Sequence, residues 1–196
     1  MNQKVDFTYF ETHTSVLKFK TLDFIEGDIM NKRTRQYIGL LSAVAFYYLI
    51  HEGAHLIYAL CIGVFKQINF MGFGMQIDVY ADKMTETQLG IFCLVGSIST
   101  ILVAYTLVLL TNRICKSSSK VFMACMYYIT IIMLLLDPIY LSLLFSLFGG
   151  GDMNGISLLI PEWIARIGYG ILFIVNMFVL LKIVLPKYKL SFSNKI

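Results

Sequence analysis

His51, Glu52 and His55 are the residues of this chain whose types and spacing most directly imply chemistry. They form the run His51-Glu52-Gly53-Ala54-His55, an HExxH pattern. On a helix, residues four apart share a face, so the two imidazoles can bind one metal ion together. Glu52 lies between them, close enough to take a proton from a water activated by the ion. Zinc lowers the pKa of such a water to about 7, which makes hydroxide available near neutral pH. The pattern therefore predicts one Zn2+ ion held by His51 and His55, with Glu52 as the general base of a hydrolase.

The flanks of the motif add to this. Tyr47-Tyr48-Leu49-Ile50 precede it and Leu56-Ile57-Tyr58-Ala59-Leu60 follow it. An acidic side chain in the middle of a membrane helix costs roughly 2.5–3.5 kcal/mol on insertion scales. A glutamate between two histidines is a poor choice for a span whose polar groups merely join helices, so the functional reading is favoured.

Zinc in a hydrolase takes a third protein ligand and leaves a fourth position for water. The acidic candidates are Asp78, Asp82, Asp137, Asp152 and Glu162. The motif lies in the second half of its helix, and alternate crossing brings the end of the third apolar stretch to the same side. Asp152 stands there, after Gly149-Gly150-Gly151, where flexible backbone can turn a carboxylate back toward the bundle. The plainer role for Asp152 is a helix N-cap. Asp137 lies on the same stretch but about 15 Å away along a helix axis. It precedes Pro138 and is expected to cap groups freed by a proline kink.

These residues need elements to position them, and the composition says what kind. Apolar residues make up 58% of the 196 positions, charged residues 14%, and the mean hydropathy is +0.73. Soluble chains have roughly 45–50% apolar and 25% charged residues. The net charge of +4 does not indicate nucleic acid, because the basic residues sit at the ends of apolar runs, as in membrane proteins. Four stretches are long and apolar enough to cross a bilayer: Tyr37 to Phe65, Leu89 to Leu110, Val121 to Phe148 with Pro138 inside it, and Ile164 to Leu185. Between the first two, Ile68 to Tyr80 is rich in β-branched and aromatic residues and broken by two glycines, which predicts a β-hairpin. The expected fold is an all-α integral membrane protein of about four transmembrane helices with a small hairpin after the HExxH helix. It divides into an N-terminal polar segment (1–35), a membrane domain (36–186) and a C-terminal tail (187–196). Residues Met1 to Met30 could form a short strand pair or an interfacial segment; without the apolar core of a signal peptide, the first span is expected to act as its own targeting signal. Cys61, Cys93, Cys115 and Cys125 form no CxxC pair and read as small packing residues. His13 reads as a solvated side chain.

With these motifs in place, the chain resembles the site-2 protease family of intramembrane zinc metalloproteases. The resemblance covers roughly Tyr37 to Gly155. It rests on the HExxH helix, on Leu94-Val95-Gly96-Ser97-Ile98-Ser99-Thr100, which is similar to the family's Gly-Pro-x-x-Asn patch, and on Asp152 with Gly155, similar to its Asp-Gly motif. Ser97 and Thr100 replace the usual proline and asparagine, Ala54 stands where glycine is usual, the Asn-x-x-Pro approach is absent, and Met153 follows Asp152. The resemblance implies a zinc metalloendopeptidase with Asp152 as third ligand, acting on transmembrane or membrane-anchored peptides. It also implies that the hairpin pairs with the substrate backbone by strand addition, which singles out Phe70, Gly72, Gly74, Met75 and Ile77. The setting would be multi-pass, in a prokaryotic cell membrane, with selection by the bundle or by a further membrane partner. The non-enzymatic alternative is a metal-binding membrane scaffold. Glu162 as a third ligand of a different metalloprotease class lacks a second acidic residue downstream.

Lysine and arginine number 13 on the side of the termini and the second loop, against 3 on the other side. The positive-inside rule then puts both termini in the cytoplasm and opens the zinc site toward the outer face, whereas the family resemblance implies the reverse. We follow the charge count.

Overall fold

The structure is a computed structural model that describes residues 30–71, 74–148 and 151–193. The expectations for the N-terminal segment, His13 and Gly72 fall outside these residues.

Helix α1 spans Lys32–Cys61 and opens with the Asn31 side chain accepting from the Arg33 N–H at 3.3 Å. It stops where Gly63 takes φ 71°, a left-handed conformation that glycine adopts without steric cost, while Val64 N–H returns to the Ala59 carbonyl at 2.9 Å. Phe65, expected to end the first span, instead begins a strand. Strands β1 (Phe65–Met71) and β2 (Gly74–Val79) form an antiparallel hairpin in which Ile68 faces Ile77 and Phe70 faces Met75. The register shifts between Phe65 and Gln67, and Lys66 bonds Asp78 at 2.9 Å. That hydrogen bond and its charge hold the Lys66 ammonium above its ordinary pKa and the Asp78 carboxyl below its own.

Helix α2 (Glu86–Ile114) starts at a capping box between Thr85 and Gln88. Helix α3 runs over Lys120–Ile139 and passes through a π-turn at Tyr140–Leu144 into the short α4, Phe145–Phe148. Pro138 explains the change of pitch. It has no N–H to give to the carbonyl four residues back, that of Leu134. Asn176 donates its side-chain amide to that carbonyl at 2.6 Å and accepts from the Tyr105 hydroxyl at 2.7 Å. Proline thus frees an acceptor rather than a donor, and an amide satisfies it. Asp137, which can only accept, does not fill the capping role expected of it. Helix α5 (Gly151–Ile156) carries Asp152. Helix α6 (Glu162–Val179) continues through a second π-turn, Leu180–Val184, into α7, Leu185–Ser193.

Four continuous helical stretches, Lys32–Cys61, Glu86–Ile114, Lys120–Leu147 and Glu162–Ser193, are long and apolar enough to cross a membrane. Their outward side chains, among them Leu41, Leu102, Leu109, Ile174 and Phe178, are exposed and apolar, so the chain is compatible with a multi-pass membrane protein. Within the bundle α1 packs on α2 and α3, α2 also on α5, α3 on α6, and β2 lies against α1. One core gathers around Met133, Leu134 and Tyr188. A second gathers around Ile77, Phe92, Met153 and Ile156, and brings hairpin, α2 and α5 together beside the HExxH turn.

Candidate metal centre

His51 and His55 are one helical turn apart on the buried face of α1, 5% and 3% exposed. Each ring is tied down through Nδ1. His55 Nδ1 lies 2.7 Å from the Phe92 carbonyl, which can only accept, so the proton is on Nδ1 and the Nε2 lone pair is free. His51 Nδ1 lies 3.2 Å from the Tyr47 hydroxyl and 3.4 Å from Asp137 Oδ2. Tyr47 gives its own proton to Asp137 Oδ1 at 2.5 Å, so toward His51 it too can only accept. Thr100 donates to Oδ2 of the same carboxylate. Asp137 is 1% exposed and serves as the shared acceptor of this network. A carboxylate behind a histidine is the usual outer support of a metal-ligating imidazole, because it fixes the tautomer and the ring orientation.

Both Nε2 atoms face Asp152. Its Oδ2 is 3.1 Å from His51 Nε2 and its Oδ1 is 3.7 Å from His55 Nε2. Tetrahedral zinc with bonds of about 2.0–2.1 Å would separate two such ligand atoms by about 3.3 Å. One ligand atom from each of His51, His55 and Asp152 falls within 4.8 Å of the others, so the group could hold a metal ion. The facing wall of α2 leaves room for it only because residue 96 is glycine. A Cβ there would sit 2.5 Å from His55 Nε2 and 2.7 Å from His51 Nε2. The donor set, two imidazoles presenting Nε2 and one carboxylate, is of a kind that suits a metal ion such as zinc and would leave one tetrahedral position over.

The group opens into a cleft of about 360 Å³ lined by Tyr48, Glu52, His55, Phe92, Tyr140 and Asp152 together with Gly74 to Ile77 of β2. Glu52 points into the cleft and accepts the Ile77 backbone N–H at 3.1 Å. Of the residues expected to meet a substrate, Gly74, Met75 and Ile77 line the cleft, and Gln76 joins them. Phe70 is on the outer strand, 78% exposed and not part of the lining. Among the other acidic candidates, Asp78 pairs with Lys66, Glu162 pairs with Arg166 at 3.2 Å, and Asp82 sits in a short 3-10 turn.

Tyr47, Tyr48 and Tyr140 are site residues that sequence reasoning passed over. Tyr47 carried a usable signal, since it stands one helical turn before His51 and so shares its face. Tyr140 carried none: the π-turn after Pro138 sets its direction. Ser97, one of the α2 positions marked by the family resemblance, bonds the Tyr169 hydroxyl at 2.6 Å and ties α2 to α6 beside the site.

No family model matches the chain, and neither curated proteins nor solved structures give a match.

Proposed function

We propose that the protein is a multi-pass membrane zinc metalloendopeptidase of the site-2 protease type, which hydrolyses peptide bonds of membrane-embedded or membrane-anchored substrates. One observation carries this reading. Two histidine Nε2 atoms and the Asp152 carboxylate face one another, both Nδ1 atoms are engaged behind the rings, and Glu52, outside this ligand group, lines the adjoining cleft. A purely structural polar cluster could use Glu52 to hold the Ile77 N–H, but it would not need two histidines and a carboxylate gathered beside it.

His51, His55 and Asp152 would hold the zinc ion, which when bound would supply Lewis-acid chemistry. The chain's own residues do the rest. Glu52 accepts the proton of the attacking water and returns it to the leaving amine nitrogen as the C–N bond breaks. Tyr48 and Tyr140 line the cleft, and a tyrosine hydroxyl placed there would be suited to donate to the scissile carbonyl oxygen as charge develops on it. Strand β2 offers its free edge to an extended substrate segment. This matters because a helical substrate keeps its carbonyls in hydrogen bonds and must unwind before attack.

The test is co-expression with candidate membrane peptides, comparing wild type with Glu52→Gln. The wild type should cleave, and the variant should keep zinc but lose cleavage, since Glu52 is not a ligand. Cleavage that persists in Glu52→Gln sinks the mechanism. Full zinc occupancy with no cleavage by the wild type of any peptide supplied favours a metal-binding scaffold instead.

A further inference from the structure

The second large cavity lies at the opposite end of the bundle from the metal centre. It has a volume of about 610 Å³ and is bordered by the start of α1, the start of α3 and the length of α7. Lys32 stands 19 positions before His51, about 28 Å along α1. Four cations line this cavity: Lys32, Arg35, Lys120 and Lys189. No aspartate or glutamate is among the lining residues, and among the described residues none of the four has a carboxylate partner. Cations held together without acidic partners repel one another, so the arrangement is complementary to an anion.

The wall of the cavity bears on what could occupy it. Tyr188 is 1% exposed and lines the same cavity, and its hydroxyl is the one buried side-chain polar atom without a hydrogen-bond partner among the described residues. Thr130, the polar side chain beside it, gives its own proton to the Met126 carbonyl at 2.7 Å. A buried hydroxyl left without a partner costs roughly 1–3 kcal/mol. Apart from Gln36 and Ser193 the remaining walls are apolar or aromatic, with Ala124, Tyr127, Leu185 and Phe192 among them. An inorganic anion would not use that surface; an anion that carries an acyl chain would.

We propose that this cavity binds the phosphate headgroup of an anionic phospholipid, the four cations neutralising the phosphate and the apolar wall receiving the start of a chain. The inference uses nothing of the metal chemistry and rests only on the helices lying in a bilayer. It suits the charge asymmetry, because this is the end rich in lysine and arginine, and anionic lipids concentrate in the cytoplasmic leaflet that such ends face.

The experiment is native mass spectrometry of the full chain released from nanodiscs of phosphatidylcholine doped with phosphatidylglycerol. The wild type should retain one phosphatidylglycerol in preference to phosphatidylcholine. Lys120→Gln with Lys189→Gln should weaken retention roughly 30-fold, as expected for two cations beside an anionic headgroup. Arg113→Gln with Lys116→Gln, two cations outside the cavity lining, should leave it within a few-fold. Equal retention of the two lipids overturns the proposal, as does an equal loss in the Arg113/Lys116 control. Full displacement by millimolar inorganic phosphate reassigns the site to free phosphate and overturns the lipid. No lipid on a wild type that sediments with membranes also overturns it, whether the cavity stays empty or takes the acidic residues of the N-terminal segment. Recovery of the chain in the soluble fraction without detergent would instead show that the bilayer reading had failed.

Discussion

Asp137 and Asp152 are both carboxylates near the histidines, and substituting each should separate ligand from support. Asp152 faces Nε2 of both rings, whereas Asp137 meets His51 only from behind, at Nδ1. In Asp137→Asn the shape is kept but one acceptor becomes a donor. If the new amide N–H points at His51 Nδ1, that nitrogen must accept, the ring proton moves to Nε2, and the lone pair meant for the metal is gone. If the amide turns the other way, it meets the Tyr47 hydroxyl, whose proton then has no carboxylate to go to. Either orientation penalises the metal-ready tautomer. Loss of an outer-shell partner of a ligating histidine typically lowers metal affinity 10–100-fold, which is about 1.4–2.7 kcal/mol. Asp152→Ala removes the proposed third ligand and should lower affinity well beyond that range, with loss of the proposed activity. The assay is zinc affinity by chelator competition on purified protein, alongside a melting curve to show that each variant is folded. An Asp137→Asn affinity equal to that of the wild type would refute the supporting role. A metal-free Asp137→Asn beside an Asp152→Ala that retains its zinc would reverse the two assignments.

Gly96→Ala should leave a helical protein that binds zinc sub-stoichiometrically, because the new methyl would occupy the space beside both Nε2 atoms; stoichiometric zinc in the variant would contradict the cradle. Asn176→Leu should cost about 1–3 kcal/mol in detergent unfolding, from two lost hydrogen bonds in a membrane interior, with zinc affinity unchanged in the folded protein. The Lys66–Asp78 pair adds to hairpin order in a pH-dependent way. Asp78 titrates below its ordinary range in the fold, so its contribution is present above that range and lost as pH falls through the lowered value. Amide exchange in β2, corrected for intrinsic rates, should quicken there, and an unchanged rate would remove the pair from the account.

The HExxH spacing and the apolar runs were enough to place the two histidines and Glu52 on one helix, the four long helices and the hairpin, because each is a local pattern with a local cause. The misreadings arise where partners are distant in sequence. Phe65 reads as membrane helix by hydropathy, yet Gly63 ends the helix and returns the chain as a strand. Asp137 next to Pro138 suggests a local cap, but the carbonyl freed by Pro138 is met by Asn176 from α6, and Asp137 is taken by Tyr47 and Thr100 from α1 and α2. The separation of 38 residues between Pro138 and Asn176 leaves no periodicity to read. The π-turn that sends Tyr140 into the cleft likewise follows from how α3 repairs its broken ladder, with Ser142 donating to the Pro138 carbonyl at 2.5 Å and Arg166 to the Ser142 carbonyl at 3.2 Å.

The hydrogen bond from Ile77 to Glu52 joins the two halves of the proposed mechanism. Backbone groups of an antiparallel strand point alternately toward and away from the partner strand. Ile77 gives its N–H to Glu52, so this residue, and Met75 two positions earlier, present their backbone groups away from β1 and into the cleft. An extended substrate that adds to this edge needs that same Ile77 N–H for its own carbonyl. Docking therefore exchanges one acceptor for another: the substrate carbonyl takes the N–H, and the Glu52 carboxylate is released. A carboxylate that accepts one fewer hydrogen bond holds its charge less well and is the stronger base. The strand edge and Glu52 thus share a single proton donor, so under the proposed mechanism seating a substrate would also be the event that frees Glu52 to act.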